Sequence, residues 1–133
     1  KIVDLDEAWA FLNVAQGETL SNKLVRAGRA MNAGVYFVTQ SSGDVSKESL
    51  KNNIGLKFAF RSTDTNEIKQ TLEFFGLDSE DENNQKRLRD LENGQCLLQD
   101  LYGRVGVVQI HPVFEELLHA FDTRPPVQRN EVE

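Results

Sequence analysis

Three short apolar runs, residues 2–5, 35–38 and 54–60, punctuate the first half of the chain, and segments of helical periodicity lie between and after them. Strand, helix, strand, helix in that rhythm is the pattern of a sheet built from βαβ units with helices packed on it. The middle run, Val35-Tyr36-Phe37-Val38, is apolar at every position and fits a central parallel strand covered on both faces. Between the first two runs, residues 16–19 read as a loop and residues 20–32 as a helix. Leu20, Leu24, Ala27 and Met31 share one face of that helix, and Lys23, Arg26 and Arg29 lie on a common flank. Asp64 or Thr65 caps a further helix with Ile68, Leu72 and Phe75 on its buried side, and Gly76 stops it. Residues 81–92 form a charged helix anchored by Leu88 and Leu91. Residues 95–101 and 104–110 read as two strands of a hairpin around Tyr102-Gly103. Pro112 opens a last helix whose stripe of Phe114, Leu117, Leu118 and Phe121 reads as core. Residues 123–133, with Pro125-Pro126 and no apolar periodicity, read as a disordered tail. The expected architecture is therefore α/β, a mostly parallel sheet flanked by helices with a C-terminal antiparallel hairpin.

Composition narrows the class without naming a function. Apolar residues make up 39% of the 133 and charged residues 27%, ordinary for a globular chain. No apolar run approaches the roughly 20 residues that span a bilayer. A single cysteine, Cys96, sits in an apolar stretch and makes no disulfide framework, which fits a reducing compartment. No His and Cys pair has zinc-ligand spacing. A net charge of −6 argues against a broad nucleic-acid-binding surface.

The chemistry concentrates where the first apolar run ends, at Asp6-Glu7. A buried strand holds a carboxylate at its tip rigidly, where it can bind Mg²⁺ beside a triphosphate. A second carboxylate next to it can orient or deprotonate the attacking water. This is the arrangement called Walker B. Thr39 and Gln40 close the neighbouring run, and a polar side chain there can sense the γ-phosphate and bond the same water. Nowhere in the 133 residues is there the Gly-x-x-x-x-Gly-Lys-Ser/Thr cradle that holds the phosphates. The expectation is the C-terminal half of a nucleotide-hydrolysing domain, residues 1–122, without its Walker A half. Asp4 alternates with Asp6 and is assigned no chemistry, and Trp9 reads as a packing residue rather than a base-stacking one.

Several blocks together resemble the C-terminal part of the ATPases that energise conjugation and type IV secretion, the TraC-like relatives in the FtsK–HerA branch of RecA-type P-loop ATPases. The blocks are Leu5-Asp6-Glu7-Ala8-Trp9, Arg26-Ala27-Gly28-Arg29-Ala30-Met31-Asn32, Gly34-Val35-Tyr36-Phe37-Val38-Thr39-Gln40, Lys57-Phe58-Ala59-Phe60-Arg61 and Asp100-Leu101-Tyr102-Gly103-Arg104-Val105-Gly106. Such families often carry a basic residue where this chain has Ala30. The resemblance implies a RecA-like fold and a hexameric parent using ATP and Mg²⁺ at the cytoplasmic face of the cell membrane. Its partners would be membrane-associated conjugation or secretion machinery, with DNA reached through the parent. It implies that Asp6 holds the metal, that Thr39 assists at the nucleotide, and that Glu7 and Gln40 act on the water. Arg26, Arg29, Arg61 and Arg104 are candidates for an arginine finger, a guanidinium that reaches across an oligomer interface to the transferring phosphoryl group.

Two other readings compete. One is a double-stranded DNA translocase of the FtsK kind, marked by DNA-stimulated, salt-dependent hydrolysis. The other is a non-enzymatic phosphoacceptor module with Asp6 as acceptor, Ser41 or Thr39 as switch hydroxyl and Lys57 as basic partner. It lacks an acidic pocket from an earlier strand, and Lys57 sits in mid-run.

Overall fold

The computed structural model describes residues 1–45, 48–120 and 122, apart from the side chains of residues 18, 29, 31, 48 and 49. Along the chain run β1 (Ile2–Leu5), α1 (Ala8–Leu12), α2 (Ala15–Met31), β2 (Gly34–Phe37), a 3-10 turn (Ser42–Val45) and α3 (Glu48–Lys51). They are followed by β3 (Lys57–Ala59), α4 (Thr65–Phe75), α5 (Glu82–Arg89), β4 (Gln95–Gln99), β5 (Val105–Gln109) and α6 (Glu115–Ala120).

β1 and β2 pair in parallel, from Ile2 opposite Gly34 to Leu5 opposite Phe37, with α1 and α2 as the crossover. Strand alternation puts Val3, Leu5, Val35 and Phe37 on one face, where Leu5 and Phe37 pack against the core. The other face, with Ile2, Asp4 and Tyr36, is open: Ile2 is 72% exposed and Tyr36 56%. The fully apolar run at residues 35–38 is thus covered on one face here, not on two. β3, β4 and β5 form a separate antiparallel sheet in that order. The mixed α/β class and the terminal hairpin stand, but among the described residues only the β1–β2 pairing is parallel. The sequence rhythm counts strands and helices, and it does not say which strands pair. Two helices and their loops separate β3 from β4, which is length enough to return in either direction.

The core joins α1, α4 and the α3 and α5 helices through Leu12, Leu50, Ile68, Leu72, Phe75, Leu88 and Leu97. Each such side chain removed from water contributes roughly 1.5–3 kcal/mol before entropy is counted. α4 carries both of its expected ends. The Asp64 carboxylate accepts the Glu67 N–H at 2.8 Å. At the other end Gly76 takes φ 74°, Leu77 N–H reaches Leu72 O and Gly76 N–H reaches Glu73 O, which closes the last carbonyls.

Four sequence expectations change. Residues 16–19 are helical, because α2 begins at Ala15. Gly17 is no loop glycine: a Cβ there would lie 1.8 Å from Phe11 O, so its bareness lets α1 rest on α2. The buried face of α2 is accordingly small, Gly17, Ser21 and Gly28, while Leu20 is 48% exposed. The third apolar run is a strand only over Lys57–Ala59, and Leu56, Phe58 and Phe60 face outward. Lys57 lies on the inner side, its ammonium bonded to Phe74 O at 2.9 Å and 4.6 Å from the Phe74 ring centroid. Burial first, then the nearby Lys51 charge, push its pKa below the usual lysine value. Finally, α6 starts at Glu115 and is exposed throughout, so Phe114, Leu117 and Leu118 are not core among the described residues. Phe121 and the expected tail at 123–133 lie outside the described residues.

Candidate active site at the carboxyl ends of the parallel strands

The β1–β2 ladder does not stop at Leu5. Val38 N–H donates to Leu5 O at 3.1 Å, and Ala8 N–H donates to Val38 O at 2.9 Å. Asp6 and Glu7 fall between these two rungs and are lifted out of the pairing as a two-residue excursion. Both are exposed. The excursion is tight enough that Glu7 takes φ 53°, ψ 47°, a left-handed conformation uncommon for a residue with a Cβ. Such strained positions concentrate at functional sites and cost of order 1–3 kcal/mol. Glu7 N–H is received by Asp6 Oδ1 at 3.0 Å, which helps to hold the turn.

Gln40, just past the end of β2, meets this excursion. Its Nε2 donates to Glu7 Oε1 at 3.1 Å, across 33 residues of sequence. The second oxygen, Oε2, accepts the indole Nε1–H of Trp9. Two of the candidate site residues, Glu7 and Gln40, are therefore brought into contact at the carboxyl ends of two parallel strands. In open α/β sheets, that edge is where ligands bind.

The other candidates are placed differently. Thr39 turns its hydroxyl to Asp44 Oδ2 at 2.7 Å, bracing the loop after β2. Arg104 is held at the tip of the β4–β5 hairpin. Its Nη2 and Nε each lie 2.7 Å from Asp100 Oδ2, and its side chain lies over the Tyr102 ring. Partial desolvation of Asp100 opposes ionisation. The Arg104 backbone and guanidinium donors and the Tyr102 N–H outweigh it and hold the carboxyl below its usual range. Arg26 projects from α2 into solvent, and Arg61 is exposed beyond β3. Arg29 lies in α2 with its side chain outside the described residues. The described site contacts thus gather Asp6, Glu7 and Gln40, but not Arg26, Arg61 or Arg104.

Two neighbours escaped the sequence reading. Trp9 is 46% exposed and is a hydrogen-bond partner of Glu7. Glu67, on the first turn of α4, accepts Ser41 Oγ at 2.8 Å, Ser42 N–H at 2.7 Å and Ser42 Oγ at 2.9 Å. It ties the loop that carries Gln40 to the core helix. The spacing Asp64-x-x-Glu67 is a capping-box signature, which points Glu67 back at its own helix start and gives no hint of this long-range role. Among the described residues no group of three or more His, Cys, Asp and Glu side chains is gathered as a metal cage. Mg²⁺ is usually bound through one or two carboxylates plus phosphate oxygens and waters, so a lone exposed Asp6 fits that ion's needs. No described helix is long and apolar enough to cross a membrane.

A mixed α/β chain with an acidic pair at the rim of a parallel ladder, braced by a glutamine from the next strand, has the layout of a nucleotide-dependent phosphoryl-transfer domain. Residues 1–121 match the family described as AAA-like domain, and the chain belongs to that family. It is 35% identical over 119 residues to the uncharacterized protein YddE of Bacillus subtilis (strain 168), covering 90% of this chain and 14% of that protein. Its fold is similar to that of B204, the DNA-packaging ATPase of Sulfolobus Turreted Icosahedral Virus, with a TM-score of 0.67. That likeness covers 84% of this chain and 52% of B204, at 16% sequence identity. The chain thus spans a small part of the curated relative and about half of the solved one.

Proposed function

We propose that this chain is the Walker B half of a RecA-like ATPase domain whose phosphate loop is supplied by another part of a longer protein. Residues 1–122 form that half. The contact between Glu7 and Gln40 carries the reading, because it joins the two polar groups that hydrolysis needs at the edge where a triphosphate would lie. Glu7 receives a proton from, or orients, the attacking water. Gln40 bonds the same water and carries its state into the loop that Glu67 anchors. Asp6 is the residue that would hold Mg²⁺, which supplies charge neutralisation on the phosphates when bound. Thr39 supports this edge through Asp44. Arg26, Arg29, Arg61 and Arg104 remain the candidates for a finger acting between subunits, and Arg104 would first have to leave Asp100.

The parent is a hexameric ATPase at the inner face of the cell membrane that energises conjugative transfer or type IV secretion. The TraC-like blocks support this reading. A second reading, a double-stranded DNA translocase, draws support from the DNA-packaging role named for B204. DNA-stimulated hydrolysis that falls steeply with salt would favour it. The phosphoacceptor reading is weaker, since Lys57 lies on the other sheet, where its ammonium is committed to Phe74 O of α4.

The test is Glu7→Gln in the full-length protein. Nucleotide binding is expected to persist while turnover falls by about a hundredfold or more, the scale of losing a general base. Normal turnover in that variant would remove Glu7 from the mechanism.

A further inference from the structure

Both oxygens of Glu7 are engaged, and by different kinds of donor. Gln40 approaches Oε1 from just past the neighbouring strand, and its amide keeps a carbonyl free to accept a hydrogen bond. Trp9 approaches Oε2 from only two residues ahead, on the first turn of α1. An indole N–H donates and does not accept, so it can hold a carboxylate without competing for the proton that the carboxylate is to receive. A carboxylate oxygen that accepts one hydrogen bond still has lone-pair capacity. Held at one oxygen only, the carboxylate would swing about its last bond. Held at both, it has one plane.

The ring itself is not drawn in by burial, since nearly half of its surface is in water. What fixes it is geometry: the left-handed backbone at Glu7 turns the carboxylate back over the start of α1, toward the indole two residues on. We propose that Trp9 is the positioning residue of Glu7. Its indole N–H locks Oε2 so that the other oxygen is presented, together with the Gln40 amide, to the attacking water. The proposal rests on Glu7 being the residue that handles the water. Misplacing a reacting group by about 1 Å can cost on the order of a hundredfold in rate, so a single donor is worth testing.

The experiment has two arms. The 133-residue chain contains one tryptophan, so its indole Nε1–H gives one resonance in a proton–nitrogen correlation spectrum. That resonance is expected downfield in the wild-type chain and displaced upfield in Glu7→Ala. An indole resonance that Glu7→Ala leaves in place would overturn the clamp. In the full-length ATPase, Trp9→Phe keeps the ring and removes the donor. Its kcat is expected to fall about ten- to hundredfold, with the nucleotide Kd and thermal unfolding unchanged. If Glu7→Gln is inactive while Trp9→Phe turns over normally, positioning by Trp9 is wrong and the ATPase reading survives. If Glu7→Gln turns over normally, the ATPase reading itself fails, and with it the proposed role of the indole.

Discussion

Glu7 sits in a backbone conformation that glycine would adopt freely and that a side chain with a Cβ resists. No core packing compensates, because the residue is exposed. On the proposed function, the strain is retained for the place it gives the carboxylate beside the attacking water. Glu7→Gly is therefore expected to raise stability by about 1 kcal/mol, read as a higher urea midpoint, while abolishing turnover in the full-length protein. A lower midpoint would show that the Gln40 and Trp9 bonds to Glu7 outweigh the backbone cost. Glu7 was legible in the sequence because an acidic pair ending an apolar run is a local pattern. Its left-handed turn was not, since nothing local announces that Ala8 will return to Val38 O. Gln40 was legible for the same reason as Glu7, being the polar tip of the next run. Trp9 reads from sequence as packing rather than base-stacking, because large aromatics are usually placed by burial, and its bond to Glu7 has no sequence signal.

Among the elements, α2 shows how periodicity can mislead by a single position. Leu20, Leu24, Ala27 and Met31 make an apolar stripe, yet the helix turns Gly17, Ser21 and Gly28 inward. Close approach of α1 over Gly17 decides the matter, and small residues permit it. One consequence is Ser21, whose hydroxyl is fully buried without a partner among the described residues. Burying a polar group unpaired costs about 1–3 kcal/mol, and alanine is the better helix former. Ser21→Ala is accordingly expected to stabilise the chain by about 1 kcal/mol in urea unfolding; a loss would mean that the hydroxyl has a role. α4 was read well because its signals are local: Asp64, an apolar face at helical spacing, and Gly76. What α4 does for the site was invisible, since Glu67 works across 25 residues. Glu67→Ala strips the acceptor from Ser41 and Ser42 and is expected to cost about 1–3 kcal/mol, measured by the same unfolding curve. An unchanged midpoint would mean that solvent replaces the carboxylate without loss.

At the scale of the whole molecule, the described residues form two small sheets, one of which has a bare face. Ile2 and Tyr36 lie on that face of the parallel ladder, with Val38 continuing it. Exposed apolar strands of this kind promote association. The 133-residue chain is therefore expected to self-associate with rising concentration in sedimentation velocity, and Tyr36→Lys to shift it toward monomer. A wild-type chain that stays monomeric at all concentrations would argue against this. The sequence could not show the bare face, because a run of four apolar residues reads the same whether one side or both are covered.

The rung from Ala8 to Val38 gives the acidic pair a mechanical character. Two residues of slack lie between fixed points on either side, so any sliding of the first strand along the second draws that slack straight and swings the carboxylate off its amide.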